Sequence, residues 1–403
     1  MKISQKAKNA IYLGVLCSVS YLAVYIARNI LSAVTPQMVE GGYTEAYIGS
    51  ISSLYFIFYA VGQLINGAIG DKIKAKWMIS IGLLGAGITN LVFTYVVALP
   101  QTAMIVYALT GFFLSMIYGP MTKIVSENTE LIYATRCSLG CTFASFIGSP
   151  AAGLLASFLT WQSVFVTSSS ILFAMAIIGF AFFTFFEKKK IVSYNQYKPE
   201  KKGLKNIKVL FKHQIVKFAL ISILTGVVRT SVVFWLPTYI AQYLSFTPQQ
   251  SATIFTVATF AISFTAFISV FIYEKLGHDM DKTILIMFIS STIFFVLTYF
   301  VRTPVLNIMF IVLAIMSSNG AASMLWSRYC PSLRDTGMVS SATGFLDFLS
   351  YMSAAAANLI FANAVTAIGW GRLILVWLAL MVVGIIVALP YNKMKKKVNH
   401  PNE

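Results

Sequence analysis

Residues 10–36 read AIYLGVLCSVSYLAVYIARNILSAVTP, and residues 215–243 read IVKFALISILTGVVRTSVVFWLPTYIAQY. Both are long and apolar enough to cross a bilayer, whose ~30 Å hydrocarbon core takes about 20 helical residues. Each carries one deep arginine, Arg28 or Arg229, and a proline eight residues later, Pro36 or Pro237. The two patterns are offset by 201 residues, so the chain repeats itself and sets one cation at the same place in each repeat. A guanidinium in the bilayer interior costs from about 3 to above 10 kcal/mol and persists mainly where it faces water or an anion. The chain is therefore expected to be a membrane protein that handles anions.

The rest of the sequence agrees with the first part of that expectation. Apolar residues make up 58% and charged residues 11% of the chain, with a mean hydropathy of +0.78; soluble domains carry about a quarter charged residues. Apolar runs of spanning length fall at 10–36, 47–69, 77–98, 102–122, 136–158, 161–186, 215–243, 251–273, 283–301, 305–327, 338–362 and 371–390. Without an alternating strand pattern, helices are the only way to satisfy the backbone in lipid. The expected fold class is an all-α membrane protein of twelve transmembrane helices in two six-helix bundles.

The net charge of +17 could point to nucleic acid, but its placement points to topology. Of the 30 Lys and Arg residues, 26 fall in alternate loops that share a side with both termini. That asymmetry places the termini in the cytoplasm of a cell membrane and leaves nucleic acid without a role. Lys188, Lys189 and Lys190 could add a weak attraction to anionic lipid. The apolar run after Lys2, Lys6 and Lys8 is too long for a cleaved leader, so the first helix is expected to stay.

One long polar stretch, 187–213, separates six helices from six. It reads as a cytoplasmic linker between an N-terminal bundle, 1–186, and a C-terminal bundle, 214–403, which ends in a basic tail. Trp161 and Trp370 echo one another at the sixth and twelfth helices. The loop Gly67-Ala-Ile-Gly70-Asp71-Lys72-Ile-Lys74-Ala-Lys76 has a degenerate partner in Glu274-Lys275-Leu276-Gly277 with Lys282. Duplicated bundles of this kind place a substrate site between the repeats near the midplane.

Polar residues in the first helix recur at Tyr21, Tyr25, Arg28, Ser32 and Thr35, steps that put them on one face. Tyr55, Tyr59, Gln63 and Asn66 do so in the second helix, and Thr343, Asp347, Tyr351 and Asn358 in the eleventh. Arg28 could snorkel toward the interface, whereas Arg229 lies near the centre of its run. Asp347 is the one carboxylate of the spanning runs set against two arginines, so a bound anion is the natural further partner. A planar fork suits phosphate or carboxylate. Asp347 itself could pair with an arginine until substrate competes, carry a proton, or pack against hydroxyls.

Cys17, Cys137, Cys141 and Cys330 read as packing residues, and His213, His278 and His400 fall in loop segments. No catalytic residue, metal cluster or nucleotide-binding phosphate loop is visible, so neither an enzyme nor a cofactor is expected.

At the level of motifs, the Gly67–Lys76 stretch is similar to the loop between helices 2 and 3 of the major facilitator superfamily. More narrowly, Tyr25-Ile-Ala-Arg28-Asn29 leading to Pro36, and Arg229 leading to Trp235-Leu236-Pro237-Thr238-Tyr239, resemble the organophosphate:phosphate antiporters, the family of glycerol-3-phosphate and hexose-phosphate transporters. The resemblance implies that Arg28 and Arg229 clamp the phosphate of a small organic anion. It implies inorganic phosphate as counter-substrate, alternating access, and a latch at Asp71 and Lys72. Tyr21, Tyr25, Tyr55, Tyr59, Gln63 and Tyr351 would line the cavity, and the protein would act as a monomer. The chain departs from the family at Gln63, where a lysine is usual, at Asn29, at Phe234, and at Ala144-Ser145-Phe146-Ile147, which lacks the helix 5 histidine. Fewer cations and the extra acid Asp347 keep a proton-coupled carboxylate transporter as an alternative. A transporter-like membrane sensor of sugar phosphate is another.

Overall fold

A computed structural model describes residues 4–70, 73–194, 211, 213–333 and 339–389. Among them no strand occurs, and eleven helices are long and apolar enough to cross a membrane. They are α1 (Gln5–Glu40), α2 (Glu45–Gly70), α3 (Ala75–Val96), α4 (Pro100–Asn128), α5 (Leu131–Phe158) and α6 (Trp161–Lys188). The second set is α7 (Ile215–Tyr243), α8 (Pro248–Lys275), α9 (Met280–Phe300), α10 (Pro304–Tyr329) and a last helical stretch, Val339–Ala388. At 50 residues that stretch is about 75 Å long, more than twice a ~30 Å core. It is broken at Gly369, whose φ of 77° and ψ of 166° no helix tolerates. Residues 339–368 are therefore α11 and 370–388 are α12, and the twelve expected helices are present.

Local chemistry sets the helix starts. Ser4, Thr160 and Asp279 cap α1, α6 and α9 by accepting from the backbone N–H of Ala7, Ser163 and Lys282. At α8, Thr247 and Gln250 cap one another: the Thr247 hydroxyl accepts from Gln250 N at 3.2 Å, and the Gln250 side chain accepts from Thr247 N at 3.1 Å. Pro100 and Pro304 open α4 and α10, where a missing N–H costs nothing. The Ser4 cap starts α1 five residues before the apolar run that hydropathy finds.

Contacts group the chain into two compact units. The first holds Met1–Lys202, Val233–Ser263 and Ala354–Thr366; the second holds Gly203–Val232, Phe264–Ser353 and Ala367–Glu403. In the first unit α1 packs on α5, α2 on α4 and α3 on α6. In the second, α9 packs on α10.

Pro36, Pro150 and Pro237 lie inside spanning helices of the first unit. A proline strips its partner four residues back of a hydrogen bond, and in lipid a neighbouring hydroxyl can supply the replacement. Pro150 releases the carbonyl of Phe146, and Ser263 of α8 places its hydroxyl 2.9 Å from that oxygen while sharing its proton with Thr259 O at 2.8 Å. Pro237 releases the carbonyl of Val233; the Ser32 hydroxyl of α1 lies 3.5 Å from it and donates to Phe234 O at 2.7 Å. Ser32 and Val233 are 201 residues apart, the offset of the two arginines, so α1 and α7 cross at equivalent positions of the repeat.

Further contacts tie the same unit together. Asn358 of α11 donates to Ser52 of α2 at 2.8 Å, and Gly49 lies so close to Ala362, Asn358 and Trp235 that any side chain there would collide. Gly153 of α5 fits in the same way against Ala252 and Thr256 of α8. Near the basic loops, Glu187 receives both Lys74 at 2.7 Å and Lys76 at 2.5 Å. Just beyond α6, burial pushes the Tyr194 phenol above its ordinary range and the Glu187 charge adds to the shift.

Candidate functional site

In the first unit, the chemistry expected of α1 and α2 gathers around Arg28. The Arg28 guanidinium carbon lies 5.3 Å from the Tyr25 ring centroid and 5.2 Å from that of Tyr59, within the ~6 Å reach of a cation–π contact. A third ring, Phe56, stands at 5.6 Å. Tyr21 meets Tyr25 edge-on with centroids 5.0 Å apart, and Tyr55 stacks on Tyr59 at 6.2 Å. Gln63 lies one turn beyond Tyr59 and is half-buried. Asn29, next to the arginine, turns back to donate to Tyr25 O at 2.6 Å.

The polar stripes are used more for packing than their spacing implies. Ser32 and Thr35 are buried, Ser32 bonded to α7 and Thr35 to its own helix at Leu31 O, 2.7 Å. Asn66 is buried and donates to the Ser115 hydroxyl of α4 at 2.8 Å. Tyr55 is buried among Phe56, Tyr59 and Tyr107. The part of the α1 face that stays with the arginine is Tyr21, Tyr25 and Arg28.

In the second unit, Arg229 sits on a π-helical turn, Val227–Val232, and is half-buried. Such turns insert one residue into an α-helix and recur at functional sites, because they swing a side chain off its regular bearing. The turn follows a close seam between α7 and α11. The Ser222 hydroxyl donates to Leu346 O at 2.7 Å, the Ser353 hydroxyl lies 3.1 Å from Ile223 O, and Gly226 leaves no room beside Ser350. Asp347, half-buried, follows Leu346 on that seam, and Tyr351, buried, stands one turn later. The seam thus brings Asp347 and Tyr351 beside the helix that carries Arg229.

Asp71 and Lys72 lie outside the described residues, as does most of the linker. All four cysteines are free and buried, and among the described residues no group of His, Cys, Asp or Glu could hold a metal ion. A cleft of about 400 Å³ in the first unit is lined by Tyr118, Met121, Thr122, Val125, Ser126 and Cys137 among others, with no charged residue in that lining.

Phe56 is the residue that sequence reasoning passed over. It is apolar and so falls off any polar stripe, although its spacing of three from Tyr59 was a readable signal.

The chain is similar to several transporters of known name. It is 22% identical to a glycerol-3-phosphate transporter of Bacillus subtilis, over 96% of this chain and 93% of that protein. It is 24% identical to a phosphoglycerate transporter protein of Salmonella typhimurium, over 87% and 82%. A 94-residue stretch is 30% identical to the membrane sensor protein UhpC of the same organism, covering 23% of this chain and 21% of that one. Among solved structures, a bacterial homolog of the lysosomal transporter Spinster superposes with a TM-score of 0.75 at 10% identity, over 96% and 97% of the two chains. The nucleoside transporter NupG superposes at 0.73 and 16%, over 94% and 98%. Both show the fold alone. The sequence pattern of the Major Facilitator Superfamily matches residues 17–358, a span running from α1 into α11, and with twelve helices in that order the chain belongs to this superfamily of transporters, which are not enzymes.

Proposed function

We propose that this protein exchanges a phosphorylated organic anion, a sugar phosphate or glycerol-3-phosphate, for inorganic phosphate by alternating access. The observation that carries the reading is the pair of arginines at repeat-equivalent positions, Arg28 in its aromatic surround and Arg229 on a π-turn. Each offers a planar fork that matches phosphate oxygens two at a time. Relatives named for glycerol-3-phosphate and phosphoglycerate transport span most of the chain, which supports the same substrate class. Residues 1–186 and 214–403 serve as the two repeats, with 187–213 as their linker, both termini in the cytoplasm and the chain in a cell membrane as a monomer. Asp71 and Lys72 form the latch, and Tyr21, Tyr25, Tyr59, Gln63 and Tyr351 the wall of the site.

A second reading rests on Asp347, the acid on the α7–α11 seam: a proton-coupled carboxylate transporter in which that acid carries the proton. A third, a membrane sensor, is supported by the match to UhpC. Vesicles separate the three. Loaded with inorganic phosphate, they take up labelled phosphate without a pH gradient if the first reading holds, and Asp347→Asn leaves exchange largely intact. Strict dependence on an inward proton gradient, with no phosphate exchange, overturns it in favour of the symporter. Binding without flux assigns a sensor.

A further inference from the structure

We propose that Phe56 is a positioning residue for anion recognition: with Tyr25 and Tyr59 it forms a three-ring collar that fixes the plane of the Arg28 guanidinium and turns its N–H fork toward the anion. The proposal rests on the reading of Arg28 as an anion ligand. Its direct support is geometric. Three ring centroids lie at 5.2 to 5.6 Å from one guanidinium carbon, two of them supplied by α2 and one by α1 itself.

The collar is rigid because it is anchored. Phe56 meets Tyr55 edge-on at 5.1 Å and 90°, and Tyr59 stacks on the same ring at 18°. Tyr55 in turn packs on Tyr107 of α4 at 5.2 Å, Tyr107 on Phe93 of α3 at 4.9 Å, and Phe93 on Phe165 of α6 at 4.9 Å. Phe56 and Tyr59 are 5% and 2% exposed, so a column of dry rings fixes their orientation. A long, flexible side chain held in this way loses its rotamer freedom on folding, before any anion arrives.

The choice of rings has a chemical reason. A hydrogen-bonding partner holds a guanidinium by its N–H donors, the same donors an oxyanion needs. A ring holds it by the attraction of charge to the π face and takes no N–H donor. Phe56 has no polar atom of its own, so it makes no hydrogen bond to an anion and acts through the groups it packs against, Arg28 among them.

The test uses the purified full chain in liposomes loaded with inorganic phosphate, with labelled phosphate outside. Phe56→Leu and Phe56→Met, either of which suffices if the other fails to fold, raise the KM for exchange by about five- to thirty-fold. Turnover at saturation stays within about twofold of the parent. Phe56→Tyr restores the ring and returns KM to within about threefold. A KM within about twofold of the parent in the ringless variants, while Arg28→Lys loses exchange, overturns the collar and leaves the anion site standing. So does a fall in turnover with KM unchanged, which marks a packing role. Absence of Arg28-dependent phosphate exchange in the parent chain overturns the functional reading, and the collar with it.

Discussion

Replacing Gly49 with alanine puts a methyl group where α2 meets α7 and α11. The new Cβ would press on Ala362, lie 2.9 Å from the Asn358 carbonyl oxygen and stand 3.3 Å from the Trp235 ring. Ordinary contact begins near 3.4 Å, so α2 and α11 must part by at least about 0.5 Å. Overpacking of this kind costs about 1–3 kcal/mol. Alanine is also a better helix former than glycine by ~1 kcal/mol, but α2 stays helical whether or not these segments touch, so that gain cancels. The packed arrangement is thus disfavoured about 5- to 150-fold. A cysteine at Ile48, next in sequence and fully buried, reports it: a membrane-impermeant maleimide should label Ile48→Cys slowly in the parent and at least about fivefold faster beside Gly49→Ala. Gly179→Ala, with no atom within 4 Å of its new Cβ, should leave the rate unchanged. Equal labelling with Gly49→Ala and Gly49→Val would refute the claim that this contact is tight.

Arg28→Lys and Arg229→Lys should each abolish or severely reduce phosphate exchange while the protein stays in the membrane, because lysine keeps the charge and loses the fork; near-normal apparent affinity in both would count against the clamp. Asp71→Asn should slow turnover with little change in KM, read from initial rates over a range of substrate, if the proposed latch governs interconversion of access states and not the site. Ser263→Ala should lower stability by about 0.5–1.5 kcal/mol in thermal unfolding, and the loss should shrink beside Pro150→Ala, which returns an N–H to the Phe146 carbonyl; an unchanged loss would mean that the hydroxyl does not serve that oxygen.

Hydropathy made twelve spans legible because each is a long apolar run whose backbone has only the helix to satisfy it in lipid. It was blind to ends. The turn expected at 363–370 is helical as far as 368, since nothing in that stretch breaks a helix before Gly369 adopts a positive φ. Arg28 and Arg229 stood out for the opposite reason: a cation among apolar residues is costly enough to need a purpose. The partners of that cation were legible only when polar. Tyr25 and Tyr59 fell on the stripes and Phe56 did not, yet all three rings stand at nearly the same distance from the guanidinium. Polar spacing also overcounted, since the Asn66 amide and the Thr35 hydroxyl donate to partners inside the bundle.

The spacing of arginine and proline acquires a physical meaning from the α1–α7 crossing. A proline frees the carbonyl four residues before it. Pro36 therefore frees that of Ser32 and Pro237 that of Val233, and these are the two residues at which the helices meet. Halfway between each arginine and its proline, the repeat thus places a residue whose carbonyl needs an outside donor. In α7 the Ser32 hydroxyl of α1 lies 3.5 Å from the freed Val233 carbonyl and donates at 2.7 Å to the next carbonyl along, Phe234. Each arginine comes one turn before the crossing and each proline one turn after it. The proline weakens the helix just past the point where the cation is held, and the crossing serine ties it together. A helix loosened by proline one turn past such a crossing has a natural place to bend there, and the serine contact keeps the two helices together at that place.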